Sequence, residues 1–298
     1  MATEDKEFRS GYVAIIGKPN VGKSTLLNSF LGQKLSIVTP KAQTTRNRIA
    51  GILTEESYQI IFLDTPGIFE PSYRLQQHMV QNALRTASEA DILLLMAEAH
   101  TRPDVFEKEI FERIKDVKKK AVMALNKVDK VQKDALLPLI AAYSDRFGFE
   151  EIVPISALTG DGVPGLLETI VQCLPAGDMY YPEDQLSDLP ERFFIAEIIR
   201  EKLFMQTQQE IPYSATVQTD EVKEREDGRI YVRATIYVER ESQKGIVIGK
   251  KGRMLKRIGQ VAREEIEEWM EAQVYLDLWV KVKSDWRDKE RDLREFGY

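Results

Sequence analysis

The sequence predicts an α/β domain with a mostly parallel sheet, followed by a smaller α+β domain. Two observations indicate the first domain: apolar strand-like runs alternate with helical spacing, and a glycine-rich phosphate-binding pattern lies between the first strand and the first helix. A third observation indicates the second domain, because the later part of the chain has the order helix, strand, strand, helix, helix, strand. A chain of 298 residues is long enough for about two domains.

The composition is typical of a globular protein with a sizeable core, with 43% apolar and 30% charged residues. Cys173 is the single cysteine, so we expect no intramolecular disulfide and a reducing, cytoplasmic location. Residues 1–10 lack the apolar core of a signal peptide, and the apolar run 92–97 is too short to span a bilayer. The net charge of −6 argues against nucleic-acid binding unless basic residues are concentrated in one place.

The phosphate-binding pattern follows a predicted buried strand over residues 12–16 and precedes a helical segment over 25–31. Its glycines allow backbone N–H groups to approach phosphate oxygens, and the helix N-terminus adds partial positive charge. We expect Lys23 to reach the β- and γ-phosphates and the Ser24 hydroxyl to bind Mg²⁺. A glycine-rich turn that binds nothing is the alternative, which the strand–loop–helix context disfavours. The predicted nucleoside-triphosphate loop consists of Gly17, Lys18, Pro19, Asn20, Val21, Gly22, Lys23, Ser24 and Thr25.

A polar stretch over residues 39–46 follows the first helix and contains two adjacent threonines. A threonine hydroxyl on a mobile loop beside a phosphate site completes the coordination of Mg²⁺ in many nucleotide switches. We expect Thr45 to have this role, with Thr44 as the alternative. An ordinary polar loop is the simpler interpretation of the stretch taken by itself.

Strands predicted over residues 49–53 and 58–63 lead to a second pattern, Asp64-Thr65-Pro66-Gly67. An aspartate at the end of a buried strand can hold Mg²⁺ through a water, and the Gly67 N–H can contact a γ-phosphate. A strand followed by a Pro-Gly turn is the alternative, disfavoured by the position about 40 residues after the phosphate loop. The candidate catalytic residues are therefore Lys23, Thr45 and Gly67.

Ile68 follows at the position where Ras-like switches have a glutamine that orients the attacking water. An isoleucine side chain cannot hydrogen-bond a water, so we expect slow hydrolysis by the chain without a partner. We also expect residues 39–46 and 67–84 to be loops that a bound nucleoside triphosphate orders, with a consequence for the second domain.

A predicted strand over 90–97, a helix over 104–120 and a strand over 121–125 lead to Asn126-Lys127-Val128-Asp129. The Asp129 carboxylate can accept hydrogen bonds from guanine N1–H and the 2-amino group, a pair of donors that adenine lacks. Since an unpaired buried polar group costs about 1–3 kcal/mol, this pattern selects guanine. We expect Asn126 to bond the base and tie neighbouring loops together, and Lys127 to lie along the ring. A surface turn of polar residues is the alternative.

A helix over residues 136–147 and a strand over 152–155 precede Ser156 and Ala157, where a backbone N–H is expected to meet guanine O6. A helix over 163–174 closes a first domain, residues 1–174. Motifs at the ends of parallel strands meet at one edge of the sheet, so together they predict a guanine-nucleotide site more specifically than any single motif does.

Residues 175–190 contain three prolines and several acidic residues, which predicts an interdomain linker. A second domain over residues 191–298 is predicted from a helix over 193–204 and from three strands, 214–222, 229–238 and 274–282. Its tail over residues 284–298 is short and highly charged and carries no assignment. The three tryptophans are expected to pack rather than to stack on bases; they are Trp269, Trp279 and Trp286.

Seven basic residues and no acidic one lie between residues 242 and 263 of this acidic chain. A Gly-x-x-Gly turn between two helical segments lets a nucleic-acid backbone approach while lysines and arginines neutralise its phosphates. A solvated basic helix with a glycine turn is the alternative. We expect a groove for single-stranded bases, lined by Ile246, Val247, Ile248 and Leu255. The candidate RNA-binding residues are Ile248, Gly249, Lys250, Lys251, Gly252, Arg253, Lys256 and Arg257.

Together the motifs resemble those of the Era family of bacterial GTPases, over nearly the whole chain. The matching segments are residues 17–24, Thr44-Thr45-Arg46, residues 64–67, residues 126–129, Ser156-Ala157 and the KH-like turn over 249–252. The resemblance implies a P-loop GTPase domain followed by a type II KH domain, with hydrolysis of GTP to GDP and phosphate. It implies binding near the 3′ end of small-subunit ribosomal RNA and a role in assembling the small ribosomal subunit, and we expect a monomer.

The resemblance also implies peripheral contact with the inner face of the membrane, for which the residues themselves offer no feature. Relatives with a hydrophobic residue at the position of Ile68 often use a potassium ion, with an asparagine such as Asn20 as a ligand. Mg²⁺ and K⁺ are therefore the cofactors that the resemblance implies.

Two functions of other classes compete with an RNA-binding GTPase. One is a GTP-dependent scaffold whose basic patch binds membrane lipid or protein. The other is a small-molecule kinase, which Asp129 and the lack of an evident acceptor pocket disfavour.

Overall fold

The computed structural model describes residues 7–101, 110–114, 117–144 and 148–298. The chain forms two compact units. Unit 1 comprises Met1–Ser36, Thr45–Ser72 and Gln76–Asp188, and unit 2 comprises Ile37–Thr44, Tyr73–Leu75 and Leu189–Tyr298. Each unit is built around its own sheet, as the predicted fold class requires, and this fold class is confirmed.

Unit 1 has a six-stranded sheet in which β1 pairs with β3 and β4, β4 with β5, and β5 with β6, all in parallel. The edge strand β2 pairs antiparallel with β3, so the order is β2-β3-β1-β4-β5-β6. The strands are β1 Arg9–Gly17, β2 Ile49–Glu55, β3 Tyr58–Asp64, β4 Ile92–Glu98, β5 Lys120–Asn126 and β6 Glu151–Pro154.

The central strands are continuous apolar runs because both faces of the sheet are covered. All four residues from Val13 to Ile16 in β1 are fully buried. The register places Ile15 opposite Asp64 and Glu98 opposite Asn126. The polar residues that end β3 and β5 therefore lie at the same edge of the sheet as the end of β1.

The described part of this unit includes the helices α1 Lys23–Leu31, α2 Arg74–Glu89, α3 Leu136–Ser144 and α4 Val163–Cys173, and residues 110–114 are also helical. The expectation of a loop over residues 67–84 was wrong from residue 74 onward. Leu75, Met79 and Ala83 are spaced four apart and are buried, which is the apolar stripe of a helix. The helix predicted over 104–120 and the end of the one predicted over 136–147 fall partly outside the described residues.

The predicted linker includes residues that group with unit 1 up to Asp188. Gln59 in β3 accepts hydrogen bonds at its Oε1 from the backbone N–H groups of Tyr180 (2.7 Å) and Tyr181 (3.0 Å). The Ile52 N–H donates to Leu186 O at 2.9 Å. This segment is thus bound to the β2–β3 side of the sheet, and the boundaries at 174 and 191 stay a prediction.

Unit 2 has a three-stranded sheet in which β8 pairs antiparallel with β7 and parallel with β9. The strands are β7 Thr216–Glu224, β8 Ile230–Val238 and β9 Val274–Val282. Alternate strand residues pack with apolar helix residues into one core, which includes Ile199, Val232, Ile236, Ile258 and Ile266. The helices are α5 Glu191–Gln206, α6 Ile211–Ser214, α7 Glu241–Ile248, α8 Arg253–Met270 and α9 Glu290–Glu295.

The C-terminal tail packs against one end of the sheet face that lies opposite the helices. Trp286 is fully buried, its Nε1–H donates to Ser214 O at 2.9 Å, and its ring stacks on Tyr298. Phe296 packs on Tyr237 of β8, with ring centroids 4.9 Å apart. Within the described ranges, every helix is too short or too polar to cross a lipid bilayer.

The tryptophan prediction holds for two residues and is wrong for the third. Trp286 and Trp269 pack, the latter against the unit 2 core. Trp279 in β9 is 55% exposed, because it points away from the helices on the open face of the sheet.

Candidate nucleotide site and RNA groove

The phosphate loop connects the end of β1 at Gly17 to the start of α1 at Lys23. A Cβ at Gly17 would lie 2.6 Å from Met96 O, and one at Gly22 would lie 2.2 Å from Asn126 Nδ2. Gly22 also has a φ of 107°, which L side chains rarely adopt. The loop can therefore fold back over the sheet edge only with glycine at both positions.

Lys23 is buried beneath the loop, and its Nζ donates to Gly17 O (3.1 Å) and Lys18 O (2.9 Å). Burial lowers the pKa of the Lys23 ammonium to about 8, and the neighbouring Asp64 carboxylate opposes the shift. The backbone of the phosphate loop thus surrounds the ammonium at the place where the phosphates of a bound nucleotide would lie.

Three side chains predicted for Mg²⁺ converge above α1. Ser24 Oγ donates to Asp64 Oδ2 at 2.7 Å and lies 2.8 Å from Thr45 Oγ1. Burial raises the pKa of the Asp64 carboxyl, while Lys23 and the hydroxyls of Ser24, Ser36 and Thr45 act in the opposite direction. The Thr44 hydroxyl instead lies 2.7 Å from Thr39 Oγ1, so the structure places Thr45, and not Thr44, beside Ser24.

This cluster fits a hard divalent cation. The Asp64 Oδ1 atom is buried and has no hydrogen-bond partner among the described residues. The donor set of a carboxylate and two hydroxyl oxygens is the one that Mg²⁺ prefers, with room in its shell for water and phosphate oxygens. Sequence reasoning missed Ser36, whose Oγ donates to Asp64 Oδ2 at 3.0 Å.

The Asp64–Gly67 turn packs directly on the phosphate loop. A Cβ at Gly67 would lie 2.5 Å from Pro19 N, and the next N–H, that of Ile68, donates to Gly17 O at 3.1 Å. The Ile68 side chain is only 1% exposed and packs in the apolar core. It therefore offers nothing to an attacking water.

Asn126 joins three loops at the sheet edge. Its Nδ2 donates to Val21 O at 2.7 Å, and its Oδ1 accepts from the Ala157 N–H at 2.9 Å. The Lys127 ammonium donates to Asn20 O at 2.8 Å and pairs with the carboxylate of Glu98, a partner that the sequence pattern did not indicate. The Ala157 N–H is thus engaged by Asn126, and the contact of that region with guanine O6 stays a prediction.

Asp129 is held by Ser156, whose Oγ donates to Asp129 Oδ1 at 2.7 Å. Ser156 is 1% exposed, so this hydrogen bond is anchored from inside the fold. One carboxylate oxygen is thereby fixed, which orients the group for a planar pair of donors such as the guanine N1–H and 2-amino group. The sequence predicted both residues for the site but not the bond between them.

In unit 2 the Gly-x-x-Gly turn joins α7 and α8, and three of its four residues have unusual backbone conformations. Gly249 (φ 70°), Lys251 (φ 54°) and Gly252 (φ 75°) all lie in the left-handed half of φ space. A Cβ at Gly249 would lie 2.7 Å from Met254 Cβ, whereas one at Gly252 would meet open space. The basic side chains around the turn are exposed: Lys250, Lys251, Arg253, Lys256 and Arg257.

A groove of about 560 Å³ runs from this turn along α8 and β9. Of the predicted residues, Gly252, Leu255 and Lys256 line it, whereas Ile246 and Ile248 do not. Val247 does not, since it is fully buried in the unit 2 core, and the expectation that it lines a groove was wrong. Sequence reasoning missed the far part of the lining, where the open side of α8 meets β9, namely Gly259, Gln260, Arg263, Leu276 and Leu278.

Comparisons with known proteins agree with the fold of both units. Residues 12–127 match the family model described as 50S ribosome-binding GTPase, and residues 210–287 match the KH domain. The first match covers the phosphate loop and the Asp64–Gly67 turn and ends before Asp129, and the second covers the Gly-x-x-Gly turn.

Relatives match the chain from end to end. GTPase Era of Geobacter metallireducens is 52% identical over 295 residues, 99% of each chain, and GTPase Era of Geotalea uraniireducens is 52% identical over 294. A crystal structure of an Aquifex aeolicus Era variant bound to GDP and AlF4⁻ matches with a TM-score of 0.95 at 45% identity, covering 98% of this chain and 99% of that one. A structure of Era with MgGDPNP and nucleotides 1506–1542 of 16S ribosomal RNA matches equally well. The chain therefore belongs to the GTPase Era family, and it is an enzyme that hydrolyses GTP.

Proposed function

We propose that this protein is a guanine-nucleotide switch that binds small-subunit ribosomal RNA through its KH unit and acts in assembly of the small ribosomal subunit. The observation that carries the proposal is the presence, in one chain, of an Asp129–Ser156 base-recognition pair beside a phosphate loop and of a Gly-x-x-Gly groove in a second unit. A relative 45% identical binds MgGDPNP together with a 16S ribosomal RNA fragment, which supports this assignment.

In the nucleotide site, the proposed roles follow from the contacts. Lys23 and the loop N–H groups bind the β- and γ-phosphates, Ser24 and Thr45 ligate Mg²⁺, and Asp64 holds it through a water. A Mg²⁺ ion held by these residues would supply positive charge to offset the negative charge that develops on the phosphates. The Gly67 N–H contacts the γ-phosphate and releases when that group leaves.

The buried Ile68 leaves the attacking water without a side chain to orient it, so hydrolysis without a partner is slow. We propose that a K⁺ ion, with Asn20 among its ligands, helps to stabilise the negative charge that develops on the phosphates during hydrolysis. Single-turnover hydrolysis in potassium and in sodium buffers, with and without RNA, tests this. Equal rates in the two salts under both conditions would remove K⁺ from the mechanism.

The RNA groove is tested with a matched pair of variants at Gly252. An asparagine tolerates the left-handed conformation there and meets open space, and an aspartate of the same shape adds a negative charge beside the RNA phosphates. We expect Gly252→Asp to weaken filter binding of a single-stranded 3′-terminal ribosomal RNA fragment by at least tenfold, and Gly252→Asn to weaken it much less. GTP affinity should be unchanged in both.

The same pair separates the RNA-binding function from a scaffold that uses the basic patch for lipid or protein. If Gly252→Asp binds RNA like the unmodified protein, the RNA function is wrong. We further propose a cytoplasmic monomer with a peripheral membrane contact. Sedimentation equilibrium tests the monomer, and co-flotation with anionic vesicles tests the membrane contact.

A further inference from the structure

The open face of the unit 2 sheet carries a cluster of planar side chains that the nucleotide site and the groove do not use. Tyr275 and Trp279 in β9 are 53% and 55% exposed. Register pairs Tyr275 with Tyr231 and Trp279 with Thr235 of β8, so these side chains share the face opposite the helices. Large exposed aromatic groups on one sheet face are a common feature of interaction sites.

The cluster is ordered by its own contacts. The Tyr231 and Tyr275 rings are nearly parallel (16°), with centroids 5.9 Å apart, and the Arg225 guanidinium lies 4.9 and 5.1 Å from the two centroids. Asp277, between the two exposed rings in sequence, accepts from Tyr231 OH at 3.2 Å and from Trp279 Nε1–H at 3.0 Å. Asp277 thus binds the polar edges of Tyr231 and Trp279, while Tyr275 and Trp279 each remain more than half exposed.

The C-terminal tail covers the other end of this face and leaves the cluster open. Phe296 packs on Tyr237, and Tyr298 OH lies 2.8 Å from Thr216 Oγ1. Tyr237 and Thr216 pair with each other at the far end of the β7–β8 ladder from Tyr231.

The cluster is continuous with the RNA groove. Arg263 lines both the groove and a second cavity of about 590 Å³, and that second cavity is also lined by Arg229 and Tyr275. A strand that leaves the groove past Arg263 can therefore reach Tyr275 through this second cavity, which Glu267 and Glu271 also line.

Charged side chains of both signs surround the cluster, with Glu224, Glu226 and Glu271 beside Lys223, Arg225 and Arg229. On the face itself Glu221 pairs with Arg233 (3.3 Å), while Asp220 accepts a hydrogen bond from the uncharged Thr235 (2.7 Å). Lys223 and Lys281 flank the aromatic rows on this face.

We propose that Tyr275, Trp279 and the Arg225 guanidinium form a stacking platform for unpaired nucleotides of the RNA strand that continues beyond the groove. Single-stranded RNA bases stack on aromatic rings and guanidinium planes without regard to sequence, while nearby cations meet the backbone. This inference rests on the proposed RNA-binding function and extends its footprint to the opposite face of the sheet.

The test compares three RNA oligonucleotides on the full-length protein: a six-nucleotide core that fills the groove, and the same core extended by six uridines at its 5′ end or at its 3′ end. One of the two extensions should tighten binding to the unmodified protein. Tyr275→Ala and Trp279→Ala should each weaken binding of that extended RNA by about tenfold and leave binding of the six-nucleotide core RNA unchanged. Tyr275→Phe keeps the ring and should retain the gain.

A spectroscopic readout is independent of affinity. Of the three tryptophans, Trp279 is the exposed one. The RNA extension that tightens binding should quench the tryptophan fluorescence of the protein. Trp279→Phe should abolish this quenching while retaining RNA binding. If neither extension adds affinity, or if both alanine variants bind the extended RNA like the unmodified protein, the platform is refuted and the face is left to a protein partner. Gly252→Asp, which should weaken core and extended RNA alike, shows separately whether the RNA function itself fails.

Discussion

At the scale of single residues, we expect one carboxylate to select the base. Asp129 is exposed, and Ser156 holds one of its two carboxylate oxygens. In Asp129→Asn an amide N–H replaces an acceptor, opposes the guanine N–H donors and suits the carbonyl of xanthine. We expect GTP affinity to fall about 10- to 100-fold, since hydrogen bonds to charged groups contribute about 1.5–3 kcal/mol, and xanthosine triphosphate to bind more tightly than GTP.

Competition between the two nucleotides measures this preference. Ser156→Ala is the matched control, because it removes the orienting hydrogen bond and keeps the carboxylate. It should weaken GTP by about fivefold, a loss of about 1 kcal/mol, without a change in base preference. An Asp129→Asn protein that still prefers GTP would contradict the assigned role of the carboxylate.

A second residue-scale prediction concerns pH. Burial depresses the pKa of Lys23 to about 8 in the nucleotide-free protein, and bound phosphates favour the charged form. Below pH 8 the ammonium is already charged, so this group gives GTP binding no pH dependence. Above pH 8 the proton must be taken up on binding, and the Kd should rise by up to tenfold per pH unit.

Titration calorimetry or fluorescence titration between pH 7 and 9 measures this dependence. Lys23→Arg carries its charge throughout this range, so its profile should be flat whatever its absolute affinity. Parallel profiles for the two proteins would show that Lys23 is not the titrating group.

At the scale of elements, the turn after β3 depends on the absence of a side chain. A Cβ at Gly67 would lie 2.5 Å from Pro19 N, so Gly67→Ala must push the turn away from the phosphate loop. GDP, which lacks the γ-phosphate, should bind within about threefold of normal, whereas single-turnover GTP hydrolysis should fall at least tenfold, about 1.4 kcal/mol in the barrier. Gly165→Ala in α4, where a Cβ meets open space, should change neither quantity. Normal hydrolysis by Gly67→Ala would show that the turn plays no part in the reaction.

The elements also show what the sequence could predict. Patterns at strand ends predicted the nucleotide site because consecutive motif residues, such as Asp64 to Gly67, are placed by a single strand of known direction. Ser36 was not predictable, since Asn28 holds its backbone in place across eight residues with no spacing signal.

The predictions for Val247 and Trp279 were wrong for a different reason. Either side chain could lie in a core or at a surface, and which of the two occurs depends on how the sheet and helices of unit 2 pack together. The far part of the groove lining, Gly259 to Arg263, could not be predicted from the sequence. The position of α8 beside β9 depends on the pairing of β9 with β8.

At the scale of the whole molecule, the two binding sites lie in different compact units. A nucleotide switch requires that the two ligands affect each other, and linkage makes that effect reciprocal. If the GTP-bound form binds RNA more tightly than the GDP-bound form by some factor, RNA must favour GTP over GDP by the same factor. For a coupling of about 1–3 kcal/mol, the factor is about 5 to 150.

Six dissociation constants close this cycle: those of the RNA for the protein loaded with a non-hydrolysable GTP analogue and with GDP, and those of each nucleotide with and without saturating RNA. We expect the two ratios to agree and to exceed five. In Gly252→Asp, RNA at the same concentration should no longer change nucleotide affinity, while the nucleotide constants without RNA stay normal, because the substitution lies in unit 2 beside the groove. Ratios of one in the unmodified protein would mean that it binds GTP and RNA independently and is not a switch.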